Sequence, residues 1–234
     1  MKLYAVVTPS HRPLYERFFL PSLDTNAFEF LPCLLEQDGA GAFLADDFKS
    51  CIRFKLEKVL ESIKQNPGAI VVWSDIDMQF FGLQPAHILA YFDRETDFVA
   101  QRWTLTSHEI CSGFYAIRSS SKMYDFFVEV SDLTRGKAGG ADQDAINMAL
   151  KASPIRLQWR FFGPEFYSRR HGIRIPPNAL LHHATCVVPK DHVNQKISLL
   201  AKLQNFDRWH PLKKRLYVFH QVPGALKRKF ASLK

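Results

Sequence analysis

The chain has 234 residues, of which 47% are hydrophobic and 23% charged. This is the composition of a globular protein, which excludes intrinsic disorder, and the length suffices for one sizeable core. The formal net charge of +8 lies entirely in residues 208–234, which hold eight basic residues and no acidic one. The cysteines include no CxxC pair and indicate free thiols in a reducing compartment; they are Cys33, Cys51, Cys111 and Cys186.

The N-terminal residues enter a predicted strand at once, and their apolar stretch is too short for a signal peptide. No segment has the length and hydropathy of a transmembrane helix, so we expect a soluble, cytoplasmic protein. Strand-like runs alternate with segments of helical periodicity, which predicts an α/β fold with a mixed, mostly parallel sheet flanked by helices. The predicted strands are 3–8, 29–35, 69–75, 97–102 and 113–118, and the predicted helices 47–63, 119–131, 142–151 and 194–203.

Two carboxylates, Asp75 and Asp77, follow the apolar run at 69–74. In open α/β sheets, ligands bind beyond the carboxyl ends of the strands, which is where these side chains would lie. Carboxylate oxygens without a neighbouring cysteine suit Mg²⁺ or Mn²⁺ bound to a diphosphate. The alternative is two solvated carboxylates at a junction between a strand and a loop. The position at a strand end favours the metal site.

A second pair of carboxylates, Asp142 and Asp144, opens a predicted helix after a Gly-rich loop at 135–141. Helix capping and the favourable placement of an acid in the first turn account for both without any function. Gln143 is different, because capping does not require it.

Three further segments could contribute to a site. Gly113 follows a predicted turn at Cys111 and Ser112, where a glycine either lets a ligand approach the backbone or forms a bulge. His182 and His183 follow an apolar run, so they are either satisfied structural residues or, as neutral imidazoles, ligands for Mn²⁺. Lys196, on the next predicted helix, is either exposed or placed to neutralise a phosphate.

Other chemistries lack their motifs. The sequence has neither GxGxxG nor GxxxxGK[ST], which argues against a Rossmann dehydrogenase and a P-loop NTPase, and it has no GxSxG or HExxH. The basic residues of 208–234 alternate with aromatic and aliphatic ones, a pattern that suits an anionic membrane surface as well as a solvated terminal helix. A nucleic-acid partner is not expected, since the rest of the chain has no nucleic-acid-binding signature.

Taken in order, these segments resemble GT-A-fold glycosyltransferases of the nucleotide-diphospho-sugar transferase type, whose relatives include glycogenin-like and lipopolysaccharide sugar transferases. The resemblance covers about residues 3–203 and implies a single-domain GT-A fold. The matching segments are Lys55, Ser74–Asp77, Ser112–Arg118, Asp142–Asn147, His183–Thr185 and Lys196–Ile197. It also implies a division into a catalytic domain, 1–207, and a basic amphipathic tail, 208–234.

The resemblance further implies roles for individual residues. Asp75, Asp77 and His183 would hold Mn²⁺ or Mg²⁺ on the diphosphate of the donor. His182 and His220 are the rivals for the third ligand. Thr8 would border the nucleoside, Lys55 and Lys196 the phosphates, and Asp142, Gln143 and Asp144 the donor sugar and the reaction centre.

The function implied is transfer of a sugar from a nucleotide-diphospho-sugar to a glycan, lipid-linked or protein acceptor, with retention of anomeric configuration. An inverting enzyme would need a base, for which Asp144 is the candidate. Two alternatives are a sugar nucleotidyltransferase, which uses a similar sheet and metal, and a non-enzymatic basic protein that binds membranes or nucleic acid.

Overall fold

A central sheet of six strands organises the protein, in the order β2-β1-β3-β6-β5-β7. The computed structural model describes residues 1–37, 45–136, 139–171, 174–185 and 192–220, with 218–220 described by backbone alone. The strands are β1 Lys2–Val7, β2 Glu29–Leu34, β3 Ile70–Ser74, β4 Met78–Phe80, β5 Phe98–Arg102, β6 Ile110–Arg118, β7 Trp159–Phe161, β8 Phe166–Ser168 and β9 Leu181–His183. The strands predicted from the apolar runs are confirmed, with shifts of a few residues at their ends.

The sheet is mixed but mostly parallel, as predicted. β1 runs parallel to both β2 and β3, and β5 runs parallel to β7. Only β6, among these six strands, runs in the opposite direction, and it pairs with β3 and β5. The turn predicted at Cys111 and Ser112 is wrong, because both residues lie inside β6. The side chain of Asn147 extends this strand by bonding both the N–H and the C=O of Ile110, at 2.9 and 3.2 Å.

Helices cover both faces of the sheet. They are α1 Arg12–Leu14, α2 Leu20–Ser22, α3 Asp46–Gln65, α4 Pro85–Leu89, α5 Ser121–Arg135, α6 Asp142–Ala152, α7 His192–Ala201 and α8 Pro211–His220. The helices predicted at 47–63, 119–131, 142–151 and 194–203 are therefore confirmed. Before β2, residues 9–22 form a helical segment that includes a 3-10 turn, Pro9–His11, and a π-helical turn, Tyr15–Phe19.

Alternation along the central strands divides the core between the two faces. On β6, Tyr115 packs on one face with Trp73 and helices α3, α5 and α6, while Phe114 packs on the other face with Phe19 and Phe166. Because a strand buried on both faces needs apolar residues at every position, β3 reads in the sequence as a continuous apolar run.

A second, three-stranded sheet of order β4-β9-β8 lies beyond the end of β3. β4 begins one residue after Asp77 and pairs antiparallel with β9, which sets Met78 opposite His183. This sheet brings the two parts of the predicted metal site together.

Part of the predicted tail packs on the rest of the protein. The Trp209 ring lies 5.3 Å from both Phe206 and Tyr217, in a cluster with Phe81 and Leu203. None of the helices in the described ranges combines the length and hydropathy needed to span a bilayer. The thiols of Cys33, Cys51 and Cys111 are free. Cys186, the side chain of His220 and residues 221–234, with the rest of the predicted tail, lie outside the described residues.

Candidate metal centre and its surroundings

The end of β3 presents the two carboxylates side by side with an imidazole. Ligand atoms of Asp75, Asp77 and His183 all lie within 4.8 Å of one another. The N–H of Asp75 donates to the carbonyl of Gly113 at 2.7 Å, and the N–H of Ala184 donates to the carbonyl of Asp77 at 3.0 Å. These backbone bonds fix the carboxylate segment between β6 and β9.

The two carboxylates have different surroundings. The Asp75 side chain keeps 41% of its surface exposed, whereas Asp77 keeps only 7%. Asp77 Oδ2 lies 2.8 Å from the Lys196 ammonium, and Asp77 Oδ1 lies 3.2 Å from His183 Nε2. Burial by itself would raise the pKa of Asp77, but the positive charges of Lys196 and His183 lower it well below its usual range. Asp77 is therefore ionised at neutral pH.

His183, and not His182, belongs to this cluster. The strand alternation of β9 directs the two rings to opposite faces, and His182 lies against Tyr167, with ring centroids 5.6 Å apart. Burial lowers the pKa of His182 to about 3, and the neighbouring His183 adds to the effect. For His183, burial acts in the same direction, but the Asp77 carboxylate outweighs it and raises the pKa to about 10.

These donor atoms fit a divalent ion that prefers oxygen and imidazole ligands, such as Mn²⁺ or Mg²⁺. The Oδ1 atom of Asp77 is buried and accepts no well-directed hydrogen bond from any group in the described parts of the chain. The imidazolium of His183 is the positive charge that faces this oxygen at 3.2 Å, and a bound cation would take its place. Binding would displace the proton that His183 Nε2 carries at neutral pH.

Lys55 lies next to this cluster and joins it to the start of α6. Its buried ammonium contacts Asp75 Oδ1 at 2.9 Å, Asp142 Oδ2 at 2.9 Å and the carbonyl of Ser112 at 3.0 Å. Burial opposes the charge of Lys55, but Asp142 and Asp75 more than offset this and hold its pKa well above the usual value. The ammonium thus has carboxylate partners that the sequence does not indicate.

The start of α6 carries the second motif. Asp142 does not cap the helix, because the cap position is Ala141. Instead, buried Asp142 accepts hydrogen bonds at Oδ1 from the hydroxyl of Ser112, at 3.0 Å, and from the N–H of Gln143, at 2.9 Å. Gln143 is half-buried and Asp144 is exposed. Asp142 therefore contacts the metal cluster through Lys55, and the two residues after it lie on the solvent side.

Thr8, at the end of β1, borders the same region. Its hydroxyl lies 3.2 Å from His11 Nδ1, and the His11 ring lies 5.3 Å from that of His192. Burial lowers the pKa of His11 to about 4, and the charge of Lys196 contributes further. Sequence reasoning missed His11, because a histidine in a segment without clear periodicity carries no signal.

Gln101 was missed as well. It is fully buried at the end of β5 and bonds His183 Nδ1 through its amide oxygen at 2.8 Å. An amide inside the apolar run 97–102 is an anomaly that the sequence shows, but only the folded chain reveals its partner.

Solved structures of glycosyltransferases share this fold. One is a glycosyltransferase involved in glycosylation of the major capsid of PBCV-1, with a TM-score of 0.58 and 10% identity over 84% of this chain and 98% of that one. Another is the glycosyltransferase GlyE of Streptococcus pneumoniae TIGR4, with a TM-score of 0.55 and 13% identity over 91% of this chain and 62% of GlyE. The apo form of GlyE gives 0.55 and 13% over 94% and 63%.

At the sequence level, no protein-family model and no curated protein matches this chain. The likeness therefore lies in the arrangement of the backbone. It confirms the fold that the sequence motifs predicted: this chain has the mixed α/β fold of glycosyltransferases.

Proposed function

We propose that this protein is a metal-dependent glycosyltransferase that moves a sugar from a nucleotide-diphospho-sugar donor to a glycan, lipid-linked or protein acceptor. The observation that carries the proposal is the meeting of Asp75, Asp77 and His183 at the end of β3, in a chain with a glycosyltransferase fold. Ligands of open α/β sheets bind at this edge, so a donor held there would meet the metal ligands directly.

A bound Mn²⁺ or Mg²⁺ supplies Lewis-acid stabilisation of the departing diphosphate. The chain's own groups supply the remainder. The ammonium of Lys196, 2.8 Å from Asp77, is placed to exchange its carboxylate for a phosphate oxygen of the donor. Thr8, at the end of the neighbouring strand, borders the nucleoside.

The reaction centre lies at the start of α6 in this proposal. Transfer of a sugar has an oxocarbenium-like transition state, which a nearby carboxylate or amide stabilises. Gln143 and Asp144 are the groups on the solvent side of that helix start, and Asp142 is held behind them by Ser112. We propose retention of configuration; inversion would assign Asp144 as the base that deprotonates the acceptor.

Lys55 has a different role from Lys196 in this scheme. The carboxylates of Asp75 and Asp142 both lie 2.9 Å from its ammonium. Lys55 therefore acts on the donor phosphates indirectly, through the metal-binding carboxylate of Asp75. A buried cation of this kind holds neighbouring carboxylates in place, because removing it would leave two negative charges uncompensated.

Slow hydrolysis of nucleotide-sugars in the presence of Mn²⁺ tests the proposal without knowledge of the acceptor. We expect release of nucleoside diphosphate from at least one donor and none after removal of the metal by chelation. Release of pyrophosphate from a sugar phosphate and a nucleoside triphosphate would instead identify a nucleotidyltransferase. No stabilisation by any nucleoside diphosphate with Mn²⁺ in a thermal melt would leave a non-enzymatic binding protein.

The third ligand can be assigned in the same assay. We expect His183→Ala to abolish Mn²⁺-dependent hydrolysis and His220→Ala to leave it unchanged. The reverse result would assign His220 and contradict the site built on β9.

A further inference from the structure

Gln101 occupies a position where its amide has one possible orientation. The residue is completely buried at the end of β5, beside a register shift between Ala100 and Gln101. Its Nε2 donates to the backbone carbonyl of Phe166 at 2.9 Å. A carbonyl oxygen accepts hydrogen bonds and cannot donate them, so the amide nitrogen must face Phe166.

This orientation determines the protonation of His183. The other atom of the amide, Oε1, lies 2.8 Å from His183 Nδ1. Because Oε1 can only accept, Nδ1 must keep a proton, and the proton that metal binding displaces is the one on Nε2. The second ring nitrogen, Nε2, then faces Asp77 at 3.2 Å and is the atom available to a metal.

Gly113 fixes the position of the same ring. A Cβ atom at this residue would lie 2.1 Å from His183 Cε1 and 2.8 Å from both ring nitrogens. The imidazole therefore lies directly against Gly113 with its Cε1 atom closest, in space that any side chain would fill. The Sγ atom of Cys111, 3.6 Å from Nδ1, borders the ring as well.

We propose that Gln101 is a positioning residue for the metal site, which holds His183 with its proton on Nδ1 and its Nε2 directed at the metal. The inference rests on the proposed function in one respect: the metal is the one that glycosyl transfer would use. Partners of this kind fix the ring orientation and raise ligand basicity, and their loss costs about 10- to 100-fold in metal affinity.

Gln101→Met tests the proposal, since methionine has a similar volume and cannot accept this hydrogen bond. The matched control is Gln79→Met, because Gln79 is also a buried amide, 3% exposed, on β4 of the small sheet. Titration of the full-length protein with Mn²⁺, followed by electron paramagnetic resonance, should give about 10- to 100-fold weaker binding for Gln101→Met. The control should bind Mn²⁺ like the wild type. Equal affinities for Gln101→Met and wild type would overturn the proposal.

A double-mutant cycle separates positioning from general damage to the fold. If Gln101 acts through His183, then Gln101→Met should alter Mn²⁺ affinity less than about twofold when His183 is already alanine. A loss of the same size in both backgrounds would overturn the proposal.

A measurement without metal keeps this inference distinct from the proposed function. In the metal-free protein, the proton on His183 Nδ1 should exchange slowly and give a ring N–H signal in a ¹H–¹⁵N spectrum, assigned by its absence from His183→Ala. Gln101→Met should remove the signal or broaden it, and Gln79→Met should preserve it. A signal that persists in Gln101→Met, or is missing from the wild type, would overturn the proposal even if Mn²⁺ binds. Failure of Mn²⁺ to bind a protein with the expected signal would instead count against the metal-dependent function.

Discussion

At the scale of single residues, Asp75 and Asp77 should respond differently to the same substitution. Asp77 is buried between Lys196 and His183, whereas Asp75 is half-exposed and shares Lys55 with Asp142. Each would lose a charged metal ligand on conversion to asparagine. Only Asp77→Asn would also take from the buried imidazolium of His183 the carboxylate that faces it at 3.2 Å.

We therefore expect both Asp75→Asn and Asp77→Asn to abolish Mn²⁺-dependent donor hydrolysis. Asp77→Asn should also lower the free energy of unfolding by about 3–5 kcal/mol, against less than about 1 kcal/mol for Asp75→Asn. Urea denaturation of the metal-free proteins gives both values. Full turnover of either variant at limiting Mn²⁺ would contradict the metal assignment.

Gly113 should be intolerant of alanine for one specific reason, the ring of His183. All three nearest neighbours of a Cβ at this position are atoms of that ring. Overpacking of this kind costs about 1–3 kcal/mol, so Gly113→Ala should be destabilised by that amount in urea denaturation. In a His183→Ala background, the penalty of Gly113→Ala should disappear. An equal penalty in both backgrounds would mean that the glycine is required for the backbone of β6 itself.

Gln143 should affect catalysis more than binding. It lies half-buried at the start of α6, after the buried Asp142, and its proposed partner is the donor sugar. Loss of a group that acts mainly in the transition state lowers kcat while leaving ground-state binding intact. We expect Gln143→Ala to lower kcat by about 100- to 1000-fold, with the affinity for nucleoside diphosphate, measured by calorimetry, unchanged. A parallel loss of that affinity would place Gln143 at the phosphates.

At the scale of elements, the sequence predicts the strands and helices that show a local pattern of apolar residues. The apolar run before Asp75 and the helical spacing over 47–63 reflect which faces of these segments are buried. The two segments form β3 and α3 in the structure. The reversed direction of β6 and the small sheet β4-β9-β8 were not predictable, because pairing between distant segments leaves no local pattern. The candidate site divides the same way. Asp75 and Asp77 stand out in the sequence, while the contact of His183 with Gln101 and Gly113 depends on long-range register.

The helical segment 9–22 should confer a pH dependence on stability through His11. The pKa of this ring is lowered to about 4 by burial and then by Lys196, while an unfolded chain has a histidine pKa of about 6.5. Between these values the unfolded chain binds a proton that the folded protein does not, so stability falls as the pH drops from about 6.5 to 4.

We expect His11→Gln to reduce that loss of stability by about 1–2 kcal/mol, less than the full shift because the ring is partly exposed. Urea denaturation at pH 7 and pH 4.5 measures the difference. His108→Gln, at an exposed histidine, is the matched control and should follow the wild type. If the stability of His11→Gln fell between pH 7 and pH 4.5 as much as that of the wild type, the ring would be protonated in the folded protein at pH 4.5.

At the scale of the whole molecule, charge is separated along the chain, since residues 1–207 are neutral in sum and 208–234 carry all the excess. α8 lies at the start of this basic segment. Its Leu212 and Leu216, one helical turn apart, are 61% and 57% exposed, while Tyr217 packs inward on Trp209. The helix thus contacts Trp209 through Tyr217 and presents its leucines and Arg215 to the outside. The ammonium groups of Lys213 and Lys214 lie over the rings of Trp209 and Phe206, 4.0 and 5.0 Å from their centroids. We propose that this surface attaches the protein to an anionic membrane.

Because Trp209 and Tyr217 pack on the body, truncation at residue 207 would also disturb the core around Phe206, and charge neutralisation is the cleaner test. The variant replaces Lys213, Lys214 and Arg215 by glutamine, and the control replaces three exposed bases of the body, Arg53, Lys64 and Arg135.

A base near an anionic leaflet contributes about 1 kcal/mol, screened over about 8 Å at physiological salt. Wild type and control should sediment with phosphatidylserine-containing vesicles at low salt and be released as salt rises. The variant should bind about 100-fold more weakly. If the variant bound vesicles as tightly as the control does, the membrane would not be a partner of α8. Donor hydrolysis, measured in parallel, should be the same in all three proteins.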